Sequence, residues 1–294
     1  MKIAITGGSG FVGRALTRHL HHDHHVVWLS SHHAALPDKL TAEFKTVDVK
    51  LVDYHDVDSL STAVSGCDAV IHLVGILHAT TQASFDEVHH QLPKRIVEAT
   101  ANAGIKNYLH MSALGADEAG PSDYLKSKYQ GEQAAFALAK QHGIRMLSFR
   151  PSIIFGPEDN FFNQFAKLLR FSPVFPIVCP NARFQPVSVD DVARAFAWGL
   201  DNKIDGKTYE LVGREVITMQ AVIEKVCAFY GWKRLLMPLP DSVSRWQGKL
   251  FSHIPNAPFT YDNYLSLQKP SISDRWDWDE MGITPEPIRL SKLY

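Results

Sequence analysis

The sequence has little cysteine and no long apolar run. Its 294 residues include three cysteines, Cys67, Cys179 and Cys227, which lie far apart. This spacing forms neither a disulfide framework nor a zinc motif, and it predicts reduced thiols. No stretch of about 18 uncharged apolar residues occurs, so we expect no transmembrane helix. The residues after Met1 do not include the apolar region that a signal peptide needs. We therefore expect a cytoplasmic location.

The chain also lacks an excess of charge of either sign. Its 30 Lys and Arg residues and 31 Asp and Glu residues give a formal net charge of -1. Nucleic-acid binders usually carry a basic face, and polybasic membrane anchors carry a cluster of cations, so both classes are disfavoured. Hydrophobic residues make up 45% of the chain and charged residues 21%, as in ordinary globular proteins. The length predicts about two domains.

The first half of the chain alternates strand-like and helix-like segments. The apolar spacing predicts strands at 3–6, 26–29, 47–51, 69–74, 106–111 and 145–149, and helices at 11–22, 58–65, 85–103 and 122–142. Gly66, Gly104 and Gly143 each follow a predicted helix, where a left-handed residue is typical. The pattern predicts an α/β fold with a doubly wound parallel sheet (Rossmann) over residues 1–150. A smaller C-terminal substrate or partner domain is expected over 151–294, with some segments returning to the main sheet.

A glycine-rich loop joins the first predicted strand to the first predicted helix. Its glycines have the spacing G-x-x-G-x-x-G, which allows a tight turn, a close approach to a pyrophosphate and close helix–strand packing. The helix N-terminus adds backbone N–H donors. We expect a dinucleotide site here, and the alternative is a glycine-rich turn without a ligand. The expected loop residues are Gly7, Ser9, Gly10, Phe11, Val12 and Gly13.

The end of the second predicted strand carries no acid. Sites for NAD usually have an acid there that bonds the ribose hydroxyls, whereas this chain has Ser30, Ser31 and His32. An acid would repel a 2′-phosphate, and hydroxyl and imidazole groups, together with Arg14, would accept one. The sequence therefore favours NADP(H) over NAD(H).

Two further strand ends supply expected cofactor residues. Asp53 and Tyr54 follow the third strand. The Asp53 carboxylate would accept from the adenine amine, or it would cap the next helix instead. Leu73, Val74 and Gly75 end the fourth strand. A small residue at this end lets a dinucleotide lie across the sheet edge.

Tyr124 and Lys128 lie four residues apart on the helix predicted after the fifth strand. They share one helix face. A nearby ammonium would lower the pKa of the phenol, so that Tyr124 exchanges a proton while hydride moves to or from nicotinamide. Lys128 would also bond the ribose hydroxyls, and Ser112 would polarise a substrate carbonyl. The alternative is a surface Tyr and Lys with a strand-end Ser.

These motifs, with residues 150–157 and 186–193, resemble the extended/atypical short-chain dehydrogenase/reductase superfamily, the NAD-dependent epimerase/dehydratase-like proteins. Residues 111–116 and 150–162 are similar to the subgroup that includes the NAD(P)-binding accessory subunit of respiratory complex I. The resemblance implies NAD(P) binding, with Pro151 and Ile153 among the cofactor residues.

The resemblance leaves two functions open. One is an oxidoreductase or epimerase-like enzyme acting on an apolar (quinone- or isoprenoid-like) or sugar-nucleotide substrate. The other is a non-catalytic protein that holds a nucleotide and serves in structure, assembly or redox sensing with a protein partner. Ser112 lies closer to Tyr124 in sequence than the corresponding residue does in active extended enzymes, which favours the second function.

The remaining features carry weaker signals. The histidines of 21–25 complete no tetrahedral ligand set, so no metal is expected. We interpret a group of seven phenylalanines as core, or alternatively as an apolar substrate pocket: Phe155, Phe161, Phe162, Phe165, Phe171, Phe175 and Phe184. An amphipathic segment is expected to pack onto the main domain, with peripheral membrane contact as the alternative. It contains Arg245, Trp246, Lys249, Leu250, Phe251 and Ile254.

Overall fold

The structure is a computed structural model that describes residues 1–32, 35–36, 38–80, 83–252, 254, 257 and 259–290. By its internal contacts the chain divides into two compact units. The first unit consists of Met1–Ser112, Ser127–Arg150 and Val192–Tyr209, and the second consists of Ala113–Lys126, Pro151–Asp191 and Glu210–Tyr294. Both units therefore contain segments from either side of residue 150.

The secondary structure follows the predicted alternation. The strands are β1 (Lys2–Thr6), β2 (His25–Ser30), β3 (Asp48–Leu51), β4 (Ala69–His72), β5 (Asn107–Met111), β6 (Arg145–Pro151), β7 (Ile154–Phe155), β8 (Val174–Ile177), β9 (Arg183–Phe184), β10 (Val187–Ser188), β11 (Lys207–Leu211), β12 (Ile217–Thr218) and β13 (Leu235–Pro238). The helices are α1 (Phe11–Leu20), α2 (Asp38–Thr41), α3 (Val57–Val64), α4 (Leu92–Asn102), α5 (Asp123–Gln141), α6 (Phe162–Phe171), α7 (Val189–Asp201), α8 (Met219–Tyr230), α9 (Asp241–Phe251), α10 (Tyr261–Leu267) and α11 (Trp278–Met281).

Seven strands form one sheet in the order β11-β6-β5-β4-β1-β2-β3. The pairings from β6 across to β3 are parallel. The chain runs outward from β1 to β3 and then crosses to β4 on the other side of β1. This reversal leaves a crevice beyond the carboxyl ends of β1 and β4, where α/β proteins bind ligands. The predicted doubly wound parallel sheet is confirmed.

The central strands are apolar because both faces of the sheet are covered. Ile3 and Ile5 of β1 and Val70 and Ile71 of β4 are fully buried. On one face, apolar residues of α3, α4 and α5 join those of β4 and β5 in a single core. Gly66, Gly104 and Gly143 adopt the left-handed conformation after their helices, with φ of 74°, 73° and 60°.

The helix expected over 85–103 is wrong in one respect, because a π-helical turn, Glu87–Gln91, precedes α4. Pro93 lies in the first turn of α4 and has no N–H to donate to the carbonyl of His89. That carbonyl faces Gly131 of α5, where a Cβ atom would lie 1.6 Å from the oxygen. The turn therefore lets two helices approach backbone to backbone.

The second unit contains three short two-stranded pairings, β10–β7, β12–β9 and β13–β8. Its core is built on α6 and α8 and includes Phe155, Phe162, Phe175 and Phe184. These phenylalanines are core residues as interpreted, whereas Phe171 at the end of α6 is 81% exposed. A cavity of about 10 Å³ lies beside this core, which is room for about one water.

The amphipathic segment leaves much of its apolar side exposed, and its packing onto the main domain stays a prediction. The segment forms α9, and its Trp246 and Leu250 are 64% and 46% exposed, whereas Ser244 and Gly248 are buried. Among the described residues, no helix is both long and apolar enough to cross a bilayer. The three cysteines are free and buried.

Candidate functional site

The turn between β1 and α1 is built from glycines, and at Gly13 no larger residue fits. Gly7 has φ of 73°, which favours glycine, and its carbonyl accepts from the N–H of Gly10 at 3.0 Å. A Cβ atom on Gly13 would lie 2.3 Å from that same carbonyl oxygen, and one on Gly10 would lie 3.1 Å from it. The first turn of α1 therefore rests directly on the loop, as a dinucleotide fingerprint requires.

The N-terminus of α1 is open to an anion. Its N-cap residue is Gly10, no side chain caps the helix, and no acid lies in its first turn. The first N–H groups of a helix and its dipole both favour negative charge there. Arg14 donates from its guanidinium to the Ser9 carbonyl at 2.5 Å, which brings a cation to the same loop.

Tyr54 braces the glycine loop. Its hydroxyl donates to the carbonyl of Leu29 near the end of β2, at 2.7 Å, and it also accepts from the N–H of Gly7. Burial raises the pKa of Tyr54 to about 12, so the hydroxyl keeps its proton. The residue expected to contact a cofactor therefore fixes the loop through its hydroxyl.

The end of β2 and the turn after β3 are polar and open. Ser31 and His32 are exposed, and the N–H of His32 lies 3.3 Å from the Ser30 hydroxyl oxygen. Asp53 accepts from the N–H of His55 at 2.8 Å and so closes a turn before α3. The helix cap is Asp56, which accepts from two N–H groups of the first turn. The capping alternative for Asp53 is therefore wrong.

Lys128 brings a buried ammonium to the carboxyl ends of β4 and β5. Its Nζ donates to the carbonyl of Met111 at 2.6 Å, and the side chain is almost fully buried. A Cβ atom on Gly75 would lie 3.9 Å from this Nζ, so Leu73, Val74 and Gly75 lead the chain past the lysine. Burial lowers the pKa of Lys128 to about 8, with the Glu132 carboxylate acting in the opposite direction.

Glu132 is itself held by other groups. It is fully buried, forms an ion pair with Arg150 and accepts from the Ser148 hydroxyl. A buried carboxylate needs such partners because it has lost its hydration. The charge on Lys128 is thus part of a paired internal network of the first unit.

Three buried histidines surround Lys128, and the sequence analysis missed all of them. His89 accepts at Nε2 from the N–H of Ile76 (3.0 Å) and donates from Nδ1 to the Ser127 hydroxyl (2.9 Å), so its ring is neutral. His72 and His110 are paired across β4 and β5 with stacked rings. Burial and the Lys128 ammonium lower the pKa of all three, to about 3 for His72 and about 2 for His89.

Ser112 follows β5 with its hydroxyl buried. Within the described part of the chain, its Oγ has no hydrogen-bond partner, and the same holds for Nε2 of His72 and of His110. Buried polar atoms are normally paired with protein, water or ligand. The strand pattern did not reveal His72 and His110, because each is buried within a strand whose neighbouring residues are mostly apolar and buried as well.

Tyr124 lies on α5, one turn before Lys128, and groups with the second unit. The expectation of a lowered phenol pKa is wrong for this structure. Burial raises the pKa of Tyr124 to about 12, and the Asp262 carboxylate, which accepts from the Tyr124 N–H at 3.3 Å, adds to the rise. Both causes disfavour the phenolate.

Pro151 and Ile153 also belong to the second unit. Their carbonyls accept from the N–H groups of Leu114 and Val187, both at 2.9 Å. Within the ranges that the structure describes, no group of three or more His, Cys, Asp or Glu side chains is arranged to hold a metal ion.

Comparison with known proteins gives a consistent result. A model described as the NAD dependent epimerase/dehydratase family matches residues 3–212. The mouse protein NADH dehydrogenase [ubiquinone] 1 alpha subcomplex subunit 9, mitochondrial, is 28% identical over 98% of this chain and 78% of its own length. The ceramide reductase of Caulobacter vibrioides is 28% identical over 88% of this chain and 81% of its own length.

A solved structure shares the fold. DesIV (dTDP-glucose 4,6-dehydratase) from Streptomyces venezuelae, with NAD and TYD bound, superposes with a TM-score of 0.72 at 20% identity. The match covers 83% of this chain and 86% of that one.

We expect Lys128→Met to change how stability depends on pH. Because the pKa of Lys128 is about 8 when folded and near its ordinary value of 10.5 when unfolded, the unfolded chain binds more protons between these values. The free energy of unfolding of the wild type should therefore rise relative to Lys128→Met as the pH increases from 8 to 10.5, by up to about 3 kcal/mol. Urea denaturation across this range measures it.

Lys126→Met, at a half-buried position on the same helix, is the matched control and should follow the wild type. Parallel curves for the wild type and Lys128→Met would show that the Lys128 ammonium is not destabilised by burial.

Proposed function

This chain belongs to the NAD-dependent epimerase/dehydratase family, and we propose that it binds NADP(H) and acts as an oxidoreductase or epimerase-like enzyme. Its substrate would be apolar (quinone- or isoprenoid-like) or a sugar nucleotide. The observation that carries the proposal is the uncapped N-terminus of α1 over a turn where a Cβ atom on Gly13 would lie 2.3 Å from the Gly7 carbonyl. Such a cradle fits a pyrophosphate.

The cofactor residues are assigned from this cradle outward. Backbone N–H groups from Ser9 to Gly13 would hold the pyrophosphate, and Asp53 would accept from the adenine amine. The ammonium of Lys128, buried at the carboxyl ends of β4 and β5, would donate to the ribose hydroxyls. Pro151 and Ile153 remain proposed cofactor residues on the basis of the family resemblance.

The preference for NADP(H) is supported by charge. Ser30, Ser31 and His32 end β2 without an acid, and Arg14 lies on the first turn of α1. A 2′-phosphate is repelled by a carboxylate and accepted by hydroxyl, imidazole and guanidinium groups. NAD is bound in the DesIV structure, so the phosphate preference would distinguish this chain within the fold.

The proposed chemistry assigns each residue one task. The dinucleotide, when bound, supplies or accepts a hydride. Tyr124 would donate a proton from its hydroxyl to the substrate oxygen, since a phenol with a pKa of about 12 is protonated at neutral pH. The ammonium of Lys128 would assist it electrostatically, and the buried Ser112 hydroxyl would polarise the carbonyl. The ceramide reductase relative supports a reductase with an apolar substrate.

A second function is supported by a different relative. The mouse protein is by name a subunit of a larger assembly, and Ser112 is displaced toward Tyr124 in sequence. On this alternative the nucleotide is held without turnover and stabilises a surface for a protein partner. The cytoplasmic location stays a prediction, since the mouse relative is mitochondrial by name.

Gly10→Asp tests the nucleotide site. The backbone at this position is extended, with φ of -73° and ψ of 176°, so an Asp would cap α1 and offset the cost of its tight Cβ contact. Thermal stability should stay within a few degrees of the wild type, whereas NADPH affinity should fall about 100-fold or more because the carboxylate occupies the anion position. Isothermal titration calorimetry measures the affinity.

Thr62→Asp adds the same charge on an exposed face of α3 and should bind NADPH as the wild type does. Unchanged NADPH affinity in Gly10→Asp would remove the glycine loop from the site.

Ser30→Asp tests the choice of cofactor. An acid at the end of β2 should lower the affinity for NADPH about tenfold or more through repulsion of the 2′-phosphate, and it should leave NADH binding equal or improved. Fluorescence titration with each nucleotide gives the ratio. Equal loss of both affinities, or no loss of NADPH affinity, would contradict the proposed preference.

Tyr124→Phe distinguishes the two functions. If the chain is an enzyme, oxidation of NADPH by a short-chain quinone, or reduction of NADP+ by a hydroxyl-bearing carbon of UDP-glucose, should fall about 10²-fold or more, while NADPH affinity stays within about threefold of the wild type. Stopped-flow absorbance at the nicotinamide band measures turnover. Turnover that survives in Tyr124→Phe would contradict its role as acid, and tight nucleotide binding without wild-type turnover of either probe would favour the structural alternative.

A further inference from the structure

Helix α9 in the second unit is amphipathic in the reverse of the usual sense. Its large apolar residues Val243, Trp246 and Leu250 recur at i, i+3 and i+7 and therefore share one face. These side chains are 41%, 64% and 46% exposed. The opposite face carries Ser244 and Gly248, which are buried. The apolar face thus points to solvent.

The contacts of the buried face fix this orientation. A Cβ atom on Gly248 would lie 3.2 Å from the Thr260 carbonyl oxygen and from the Tyr261 Cα, so only a very small residue allows this approach. The Ser244 hydroxyl accepts from the N–H of Cys179 at 3.1 Å. Rotating α9 to bury Trp246 would break both contacts. The packing of Ser244 and Gly248 therefore keeps the apolar face of α9 exposed.

Two cations lie along one side of this face. Arg245 and Lys249 are exposed, lie one turn apart and form a stripe beside Trp246. The Lys249 ammonium lies 5.3 Å from the centre of the Tyr261 ring. Asp241, the acidic residue of α9, is the first residue of the helix. Its carboxylate accepts from the Tyr264 hydroxyl at 2.9 Å. From 233 to 254 the sequence has four Lys and Arg residues and one acid, whereas the whole chain has a net charge of -1.

We propose that the α9 face, defined as Val243, Trp246 and Leu250 with the cations Arg245 and Lys249, docks on an anionic lipid surface. An exposed apolar stripe flanked by basic residues and centred on a tryptophan has the chemistry of a helix that lies in the membrane interface. The apolar side chains enter the acyl boundary, and the cations meet the headgroups. This proposal does not depend on nucleotide binding or turnover.

A second copy of the chain fits the face less well. A two-fold contact places the same patch on both partners. Arg245 and Lys249 of one copy would then approach those of the other, and like charges across an interface are unfavourable. An anionic surface instead matches these cations and also accepts the apolar stripe.

Vesicle flotation of the full chain tests the proposal. The protein should float with phosphatidylcholine vesicles that contain phosphatidylglycerol and should bind vesicles of phosphatidylcholine alone more weakly. Trp246→Ser with Leu250→Ser should reduce partitioning about tenfold or more, since it removes two buried apolar groups. Arg245→Gln and Lys249→Gln should each reduce it about fivefold on anionic vesicles.

Trp276→Ser is the matched control, because it removes another exposed tryptophan of the same unit and should leave partitioning unchanged. All substituted residues are exposed, so circular dichroism and thermal melting should match the wild type. The proposal would be overturned if the wild type does not float with the vesicles, or if Trp276→Ser loses as much partitioning as the α9 variants. It would also be overturned if analytical ultracentrifugation shows a dimer that Trp246→Ser with Leu250→Ser dissociates. NADPH binding should be retained in every variant. A loss of vesicle partitioning can then be distinguished from a failure of the nucleotide site.

Discussion

The contact between the first turn of α1 and the glycine turn before it is the constraint on which the candidate site depends. Gly13 rests on the Gly7 and Gly8 carbonyls at distances that leave no room for a Cβ atom. This contact aims the N-terminus of α1 at the crevice beyond β1 and β4, and the Tyr54 hydroxyl links the Leu29 carbonyl of β2 to the N–H of Gly7 in the turn. A larger residue at Gly13 would separate the helix from the loop and remove the anion site with it.

The buried ammonium of Lys128 is the second element at this sheet edge. A lysine this deep is costly, because burial disfavours its charge. The Met111 carbonyl, the Glu132–Arg150 ion pair and three neutral histidines form its surroundings. An apolar residue at this position would avoid the cost of burying a charge. The buried ammonium is explained if it serves a ligand, as groups with shifted pKa values in clefts often do.

The sequence predicted the parallel sheet, the glycine loop and the positions of Lys128 and Gly75, because these depend on local spacing and on chain order. It did not predict the π-helical turn, which arises from Pro93 together with the distant Gly131. It also missed His72 and His110, since strand periodicity does not separate a buried polar residue from an apolar one. The orientation of α9 depends on Gly248 meeting Thr260 and Tyr261, a contact that helical spacing does not contain.

Native mass spectrometry of the purified chain, with NADPH and NADH added in competition, tests the central claim most directly. The account predicts one NADPH per chain, retained in the presence of equal NADH. Absence of any nucleotide complex would contradict the assignment of the glycine turn as a dinucleotide site. A complex formed with NADH in preference would contradict the role given to the acid-free end of β2.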